Sequence, residues 1–485
     1  MSAATTTLFQ GDTHQGLQAL EQRLHHDLAC LCYPPTNWVP ATHHHGQRVL
    51  DVAVIGGGMC GLVASFALKR AGITHLRILD KSPKGFEGPW VTYARMETLR
   101  SPKHLVGPAM GMGALTFRAW YEAQYGAAAW EALDKIPRPQ WMDYLRWYRQ
   151  VLDLPVENDI EVRRIVPQDH LLQLELAGPG TSASTLLARN VVLATGREGM
   201  GAPAIPAFVA DLPRERWAHS SDPMDFAALK GRRVVVVGIG ASAVDNAAEA
   251  LEAGASEVRM LIRRSEMPQI NKMMGIGSYG FTAGFPNLDD DWRWRFMHYS
   301  FTTQTPAPRG STLRVSRHPN AYFHFGAGVE RIAVQGPEVV IDTRDGRRFG
   351  TDFVILGTGF TVDPPTRPEL AAYADQILLW RHCYTPPKAL AHRELGQFPY
   401  LSPDFAFRER EPGRAPWLGN IHCFNYGATL SLGKVSGDIP AVSDGAQFLA
   451  QSLAAGFYRA DIERHWQNLL DYAKPELLGD EWRAS

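Results

Sequence analysis

The sequence has no run approaching about 18 consecutive apolar residues, so nothing in it reads as a membrane-spanning helix. Its opening, MSAATTTLFQGDTHQ, lacks a basic start followed by an apolar stretch, and a cytoplasmic protein is expected. Charge of one sign is also missing: 49 Lys and Arg stand against 50 Asp and Glu, a net charge of -1. Such a chain has no general field for gripping a phosphate backbone or anionic lipid, which disfavours nucleic acid and membrane as partners. Cysteine is scarce. The five present (Cys30, Cys32, Cys60, Cys383 and Cys423) are odd in number and form no C-x-x-C pair. Neither a disulfide scaffold nor a zinc site is indicated, and no metal is expected. Cys30 and Cys32 read as two small core residues at the end of a helix.

What is present is an ordinary globular composition, 45% hydrophobic over 485 residues, enough for two or three domains. Leu17, Leu20, Leu24, Leu28 and Leu31 recur at helical spacing before Pro34 and Pro35, predicting an N-terminal helix packed on the main body. His43, His44 and His45 follow in a polar loop, where solvated side chains are the plainer reading and a metal the bolder one. From Leu50 the pattern is strand, glycine turn, helix, strand: LDVAVI, GGGMCG, LVASFALKRAG, HLRILD. The same design returns at RRVVVVGIGASAVDNAA and runs to Arg264. The stretch LLQLELAGPGTSASTLLARNVVLATG reads as short strands joined by a turn, EVVIDT and DFVILGTGF as further strands, and DGAQFLAQSLAAGFYRADIERHWQNLLDYA as helix. The predicted fold is α/β, with two Rossmann-like dinucleotide-binding domains, the second inserted in the first. The expected boundaries are an N-terminal helical extension over 1–45, a first domain over 46–215 and 340–485, and a second over 216–339.

Gly56, Gly58 and Gly61 fill the three positions of G-x-G-x-x-G. They allow a tight turn, close approach of the backbone to a pyrophosphate, and close packing of helix on strand. Asp80 ends the next strand about 24 residues after Gly56, where a carboxylate accepts ribose hydroxyls. Lys81 follows it. In the second loop Gly238 and Gly240 hold the first two positions, Ala243 the third, and Ser242 lies between. The far strand here ends in Arg263 and Arg264 instead of an acid. Guanidinium groups pair with a 2'-phosphate that a carboxylate would repel, so this site is expected to prefer NADPH. A solvated strand edge is the plainer alternative.

With both loops in place, the residues resemble the two-dinucleotide (class B) flavoprotein monooxygenases, which include the flavin-containing monooxygenases, the Baeyer-Villiger monooxygenases and the lysine/ornithine N-hydroxylases. Gly88, Pro89 and Trp90 are similar to the family's G-G-T-W beside the flavin ring. NVVLATG, ending at Thr195 and Gly196, looks like the strand returning from the flavin domain. His219 to Asp222 precede the second loop at the usual distance. Asp352, Leu356, Thr358, Gly359 and Phe360 match a D-x-x-x-L-A-T-G-F/Y box in which Gly357 replaces alanine. METLRSPKHL and the Tyr144–Trp147 helix tilt the likeness toward the N-hydroxylases. The Baeyer-Villiger fingerprint is not met, since Phe208 and His219 are too far apart and Trp217 precedes the histidine. The C-terminal FNYGATLSLGKVSGDIP also departs from typical ornithine hydroxylases.

The resemblance implies an FAD- and NADPH-dependent monooxygenase acting on a small molecule and O2 through a C4a-hydroperoxyflavin, with N-hydroxylation of an amine first in order. S-oxygenation, Baeyer-Villiger oxidation, and a flavin reductase with a quinone or protein acceptor stand as alternatives. FAD is expected on Gly56, Gly58, Gly61, Asp80, Lys81, Trp90, Thr195 and Gly196. NADPH is expected on Gly238, Gly240, Ser242, Arg263 and Arg264, with Thr358 and Gly359 completing the cofactor set. Asn271 and Arg100 are the candidate catalytic residues. A turn residue bonding its own backbone is the alternative for Asn271, and a solvated cation for Arg100 and Lys103. The cluster Trp292, Trp294, Phe296, His298 and Tyr299 is read as pocket wall or as core of a strand or lid, and Asp289–Asp291 as a solvated loop. Cys60 is expected to pack in the first domain. Monomer and homo-oligomer both stay open.

Overall fold

The computed structural model describes residues 16–179 and 181–482; the opening MSAATTTLFQGDTHQ and Gly180 in the predicted turn lie outside them. Helix α1 (Gly16–Cys30) buries Leu20, Leu24 and Leu28, the stripe that its leucine spacing predicts. Leu31 falls beyond the helix end and is 58% exposed. Cys30 and Cys32 are exposed, which corrects their reading as core residues: the helix turns its leucine stripe inward and leaves this end in solvent.

The first nucleotide unit is built on β1 (Leu50–Ile55), α2 (Met59–Arg70) and β2 (Leu76–Leu79). All six residues of β1 are buried, as expected for a central parallel strand covered on both faces. Helices α3 (Phe117–Ala132) and α4 (Arg138–Val151) follow. Tyr144 in the Y-L-R-W helix is buried and donates to the Leu115 carbonyl at 2.7 Å, so this helix is core, not cavity wall. Strands β3 (Val156–Glu157), β4 (Glu161–Gln168), β5 (Leu171–Gly178) and β6 (Thr181–Leu193) complete a sheet of order β3-β2-β1-β6-β5-β4. The far end of β6 pairs in parallel with β1, while its start pairs antiparallel with β5.

The second unit holds β7 (Trp217–His219), β8 (Arg233–Val237), α5 (Ala241–Glu252) and β9 (Glu257–Ile262). Next come α6 (Asp290–Thr303), α7 (Arg309–Ser316) and β10 (Ala321–Phe325). A separate antiparallel sheet joins β11 (Val329–Gln335), β12 (Glu338–Thr343) and β13 (Arg348–Thr351). Strand β14 (Phe353–Leu356) then enters the second sheet between β8 and β7, giving the all-parallel order β10-β9-β8-β14-β7. The stretch from 340 to 356 therefore lies with the second unit, whereas the sequence placed it with the first. The reason is burial: Val354, Ile355 and Leu356 are 0% exposed, and only a strand flanked on both sides meets that demand. The chain rejoins the first sheet at β15 (Ile421–His422), parallel to β6, and closes with α8 (Val442–Ala460) and α9 (Ile462–Asp471).

The aromatic cluster at 292–299 is helical, neither strand nor loop. Asp289 caps α6 by accepting from Trp292 N at 2.9 Å. Asp290 accepts from Tyr400 and Asp291 from Tyr384, so the acidic run is an anchored helix start instead of a solvated loop. Trp294 and Met297 form the buried face. Two arginines cross between the units: Arg314 Nη1 donates to the Arg95 carbonyl at 3.0 Å, and Arg100 Nη1 to the Pro306 carbonyl at 2.8 Å.

Candidate active site

Both glycine loops show, from the backbone, why no larger residue fits. Gly56 has φ +104, and a Cβ there would lie 2.4 Å from the Ala194 carbonyl oxygen. A Cβ on Gly61 would lie 1.8 Å from the Gly56 carbonyl oxygen, so α2 rests directly on the turn. Gly58 is different: a Cβ there would only touch the Gly88 backbone, at 3.7 Å, and it stands at the head of α2 with no side chain capping the helix. That is the cradle a pyrophosphate requires, with free first-turn N–H groups and room for the backbone to be approached. Asp80 is buried beside it and held by two backbone donors, Gly57 N at 2.6 Å and Ser82 N at 2.7 Å, one on each oxygen. Each oxygen keeps a second lone pair for a ribose hydroxyl.

In the second loop Gly238 has φ +122 and closes on the Gly357 carbonyl oxygen, 2.5 Å from an added Cβ. Gly240 heads α5 uncapped, with Gln304 Nε2 3.8 Å from an added Cβ. Arg264 is committed to structure: it donates to Gln304 Oε1 at 2.7 Å and to the Thr302 carbonyl at 2.8 Å, stopping the C-terminus of α6. Arg263 is exposed and pairs with no carboxylate among the described residues. Ser242 is exposed on the first turn of α5. Thr358 and Gly359 lie in the segment that follows β14, where Thr358 Oγ1 donates to the Ala204 carbonyl at 2.5 Å and the Gly359 carbonyl contacts His219 Nε2 at 2.9 Å.

Between the loops lies a cavity of about 1550 Å³. It exceeds the roughly 300–1,000 Å³ typical of a single small-molecule pocket and leaves room for more than one ligand. Its wall takes in Gly56, Gly58, Asp80, Lys81 and Trp90 from the first unit, Thr195 and Gly196 from the end of β6, and Gly240 from the second loop. Gly61, Gly238, Ser242, Arg263, Arg264, Thr358 and Gly359 do not line it. Trp90 stands edge-on to Trp141 at 6.2 Å, and its carbonyl is held by Arg138. Arg100 reaches the cavity, its pKa lowered by desolvation, and its guanidinium remains charged. Asn271 also lines it, with Oδ1 buried and without a hydrogen-bond partner. A buried carbonyl left unpaired costs on the order of 1–3 kcal/mol, so it marks a place where a donor is missing. Lys103 instead caps α3, donating to the Trp130 carbonyl at 2.7 Å.

The sequence did not single out the C-terminal side of the site. Asn425 is fully buried, and its amide donates to the Leu193 carbonyl and to Thr195 Oγ1, both at 3.1 Å, pinning the 425–441 segment to the end of β6. Tyr426, Thr429 and Lys434 thereby reach the wall, as does Arg197, which directly follows Gly196. One signal was available: the carboxyl ends of strands in open α/β sheets are where ligands bind, and Arg197 stands at such an end. Cys60 is buried and donates to the Ser436 carbonyl at 3.4 Å, and burial pushes its thiol pKa up to about 12, so it packs and does not react. Among the described residues no group of three or more His, Cys, Asp or Glu is arranged to hold a metal ion, and no helix is long and apolar enough to cross a membrane.

Comparisons with known proteins agree with this geometry. A model of the pyridine nucleotide-disulphide oxidoreductase family matches residues 53–276. The FAD-dependent urate hydroxylase of Xanthomonas campestris pv. campestris is 38% identical over 472 residues, spanning 96% of this chain and 98% of the relative. Among solved structures, the ornithine hydroxylase of Pseudomonas aeruginosa has a TM-score of 0.66 at 17% identity, covering 84% of this chain and 99% of that one. The ornithine N-hydroxylase of Kutzneria sp. 744 has a TM-score of 0.64 at 18% identity, with the same coverage. At that identity the two structures speak for the fold. Paired glycine cradles on two sheets, and a relative matched end to end, lead to one conclusion: the chain belongs to the two-dinucleotide-binding flavoprotein monooxygenases, and it shares its fold with the ornithine hydroxylases.

Proposed function

We propose that this protein is an FAD- and NADPH-dependent monooxygenase that hydroxylates a planar oxopurine of the urate class. The observation that carries this reading is the 38% identity over 96% of the chain with a urate hydroxylase. The cavity supports it chemically. Phe281, Phe285, Phe301 and Tyr426 give it flat apolar walls, which suit a rigid heterocycle better than a flexible chain.

FAD, when bound, supplies the two-electron and O2 chemistry, with one oxygen atom entering the substrate and the other leaving as water. The protein's own residues bind, orient and exclude water. Gly56, Gly58 and Asp80 would hold the flavin nucleotide at the first cradle, with Trp90 and Thr195 on the same cavity wall. Gly240 and Arg263 would hold NADPH at the second. Asn271 presents Oδ1 as an acceptor to a donor on coenzyme or substrate, and Arg100 ties the two units together at the cavity edge. The apolar walls keep bulk water from the reacting atoms.

N-hydroxylation of an amine is the second reading. The fold neighbours favour it, and so does Asp444 on the cavity wall, a carboxylate able to meet an ammonium group. The deciding experiment gives the purified holoenzyme NADPH and 18O2 with urate, ornithine or lysine and reads product mass. Hydroxylated urate carrying one 18O is expected. A labelled hydroxylamine from an amine, with urate untouched, would replace this reading by the second.

A further inference from the structure

The cations on the cavity wall are not equivalent. Arg367 is tied to Glu369 by two bonds of 3.0 and 2.7 Å, Lys434 stands 3.7 Å from Asp438, and Arg100 donates to the Pro306 carbonyl. Lys81 belongs to the first cradle, next to Asp80. Arg197 is left. Its guanidinium carbon lies 3.6 Å from the ring centroid of Tyr426, it donates to the Tyr426 hydroxyl, and Glu394 acts on it only through longer-range charge, with no carboxylate among the described residues at ion-pair distance.

Both partners of this stack are fixed by one turn. Arg197 follows Thr195 and Gly196 at the carboxyl end of β6, and Tyr426 N donates to the Gly196 carbonyl at 3.3 Å. Neighbouring Asn425 is bonded to Leu193 and Thr195. Tyr426 in turn packs on Phe398 at 5.5 Å and Phe398 on Phe301 at 5.9 Å, so the stack continues the aromatic wall of the cavity. A guanidinium seated over a ring and bonded to its hydroxyl still has donors to spare from its five N–H groups, and these can meet the edge of a second planar group.

We propose that Arg197, held over the ring of Tyr426, receives the negatively charged edge of the substrate and selects planar anionic heterocycles over neutral or cationic molecules. This rests on the oxopurine reading above, because urate is a monoanion at neutral pH. Arg197 is a specificity residue in it. No bond is made or broken at the guanidinium.

The test titrates oxidised holoenzyme with urate, read by the flavin absorbance change, for wild type, Arg197→Gln and Arg197→Lys. Loss of a charge-assisted pair should weaken urate binding by about 10- to 100-fold in the glutamine variant. The lysine variant should recover only part, since its charge is kept and the flat fork is lost. FAD content and the KM for NADPH should stay within about twofold. Unchanged urate binding overturns the proposal, and so does a rise in the NADPH KM in place of the urate effect, which would assign Arg197 to the coenzyme. If the glutamine variant does not fold, the lysine variant alone decides by the same comparison. Wild type that binds urate through Arg197 without hydroxylating it would remove the proposed activity and leave this inference standing. Urate hydroxylation unaffected in both variants would do the reverse. Wild type that neither binds nor hydroxylates urate would end both.

Discussion

Ala243 and Gly357 meet face to face across the second nucleotide unit: a Cβ on Gly357 would lie 2.3 Å from the Ala243 Cβ. The first unit has the mirror arrangement. There the helix position is Gly61 and the strand-end residue is Ala194, whose Cβ lies 3.5 Å from a Cβ built on Gly61. The second unit thus has room for one methyl group at this contact, whereas in the first the Gly56 carbonyl oxygen, 1.8 Å from the added Cβ, is what forbids one on Gly61. Gly357, which departs from the alanine of the family pattern, is the counterpart of Ala243 in the glycine loop.

Gly357→Ala should therefore destabilise the second unit by about 1–3 kcal/mol through overpacking. Ala243→Gly in the same chain should return part of that loss, although the Ala243 Cα, 2.7 Å from the added Cβ, keeps some of it. Thermal melts of both single variants and the double form a cycle, and strict additivity would deny the contact.

The two arginines at the end of β9 should behave differently. Arg263→Ala should raise the KM for NADPH by about 10- to 100-fold and leave NADH nearly unchanged, the loss expected for a charge-assisted phosphate contact. Arg264→Ala should loosen the end of α6, which it ties through Gln304 and Thr302, and impair both coenzymes alike. Steady-state KM values for both coenzymes check this. The opposite assignment would place the 2'-phosphate on Arg264.

Asn271→Leu removes an amide whose Oδ1 makes no bond to the protein, so the melting temperature should not fall. Coupling should suffer. The ratio of hydrogen peroxide formed to NADPH consumed is expected to rise at least about threefold, because the bound partner of Oδ1 loses its acceptor. An unchanged ratio would remove Asn271 from the catalytic set.

Asp51 in β1 is buried with Oδ2 unpaired, and burial raises its pKa from the ordinary 3.8 to about 6. The folded state thus holds this proton more tightly than the unfolded one. Below about pH 3.8 the group is neutral in both states and carries no penalty; between 3.8 and 6 the penalty grows, and above 6 it is complete. Asp51→Asn should then raise the melting temperature at pH 8 by about 2–4 °C and not at pH 4. Equal gains at both pH values would show that ionisation is not the cause.

Much of the site's foundation was legible along the chain. Gly56, Gly58 and Asp80 announce the first cradle because their roles depend on backbone conformation and on a fixed distance within one strand–turn–helix–strand unit. The helical stretch at 289–303 was misread because its alternating aromatics fit a strand as well as a helix; the capping bond from Trp292 N to Asp289 decides for the helix. Strand β14 was assigned to the wrong unit for a related reason: an apolar run shows that a strand is buried, and not between which neighbours.

By itself the sequence determined the two nucleotide cradles and their order, since these follow from local sterics that any folded context must respect. Only the tertiary structure decided which arginine is free, that the 425–441 segment closes over the end of β6, and that Arg197 sits over the ring of Tyr426. The last two join residues more than two hundred positions apart, and all three arise from packing that leaves no period or spacing in the chain to read.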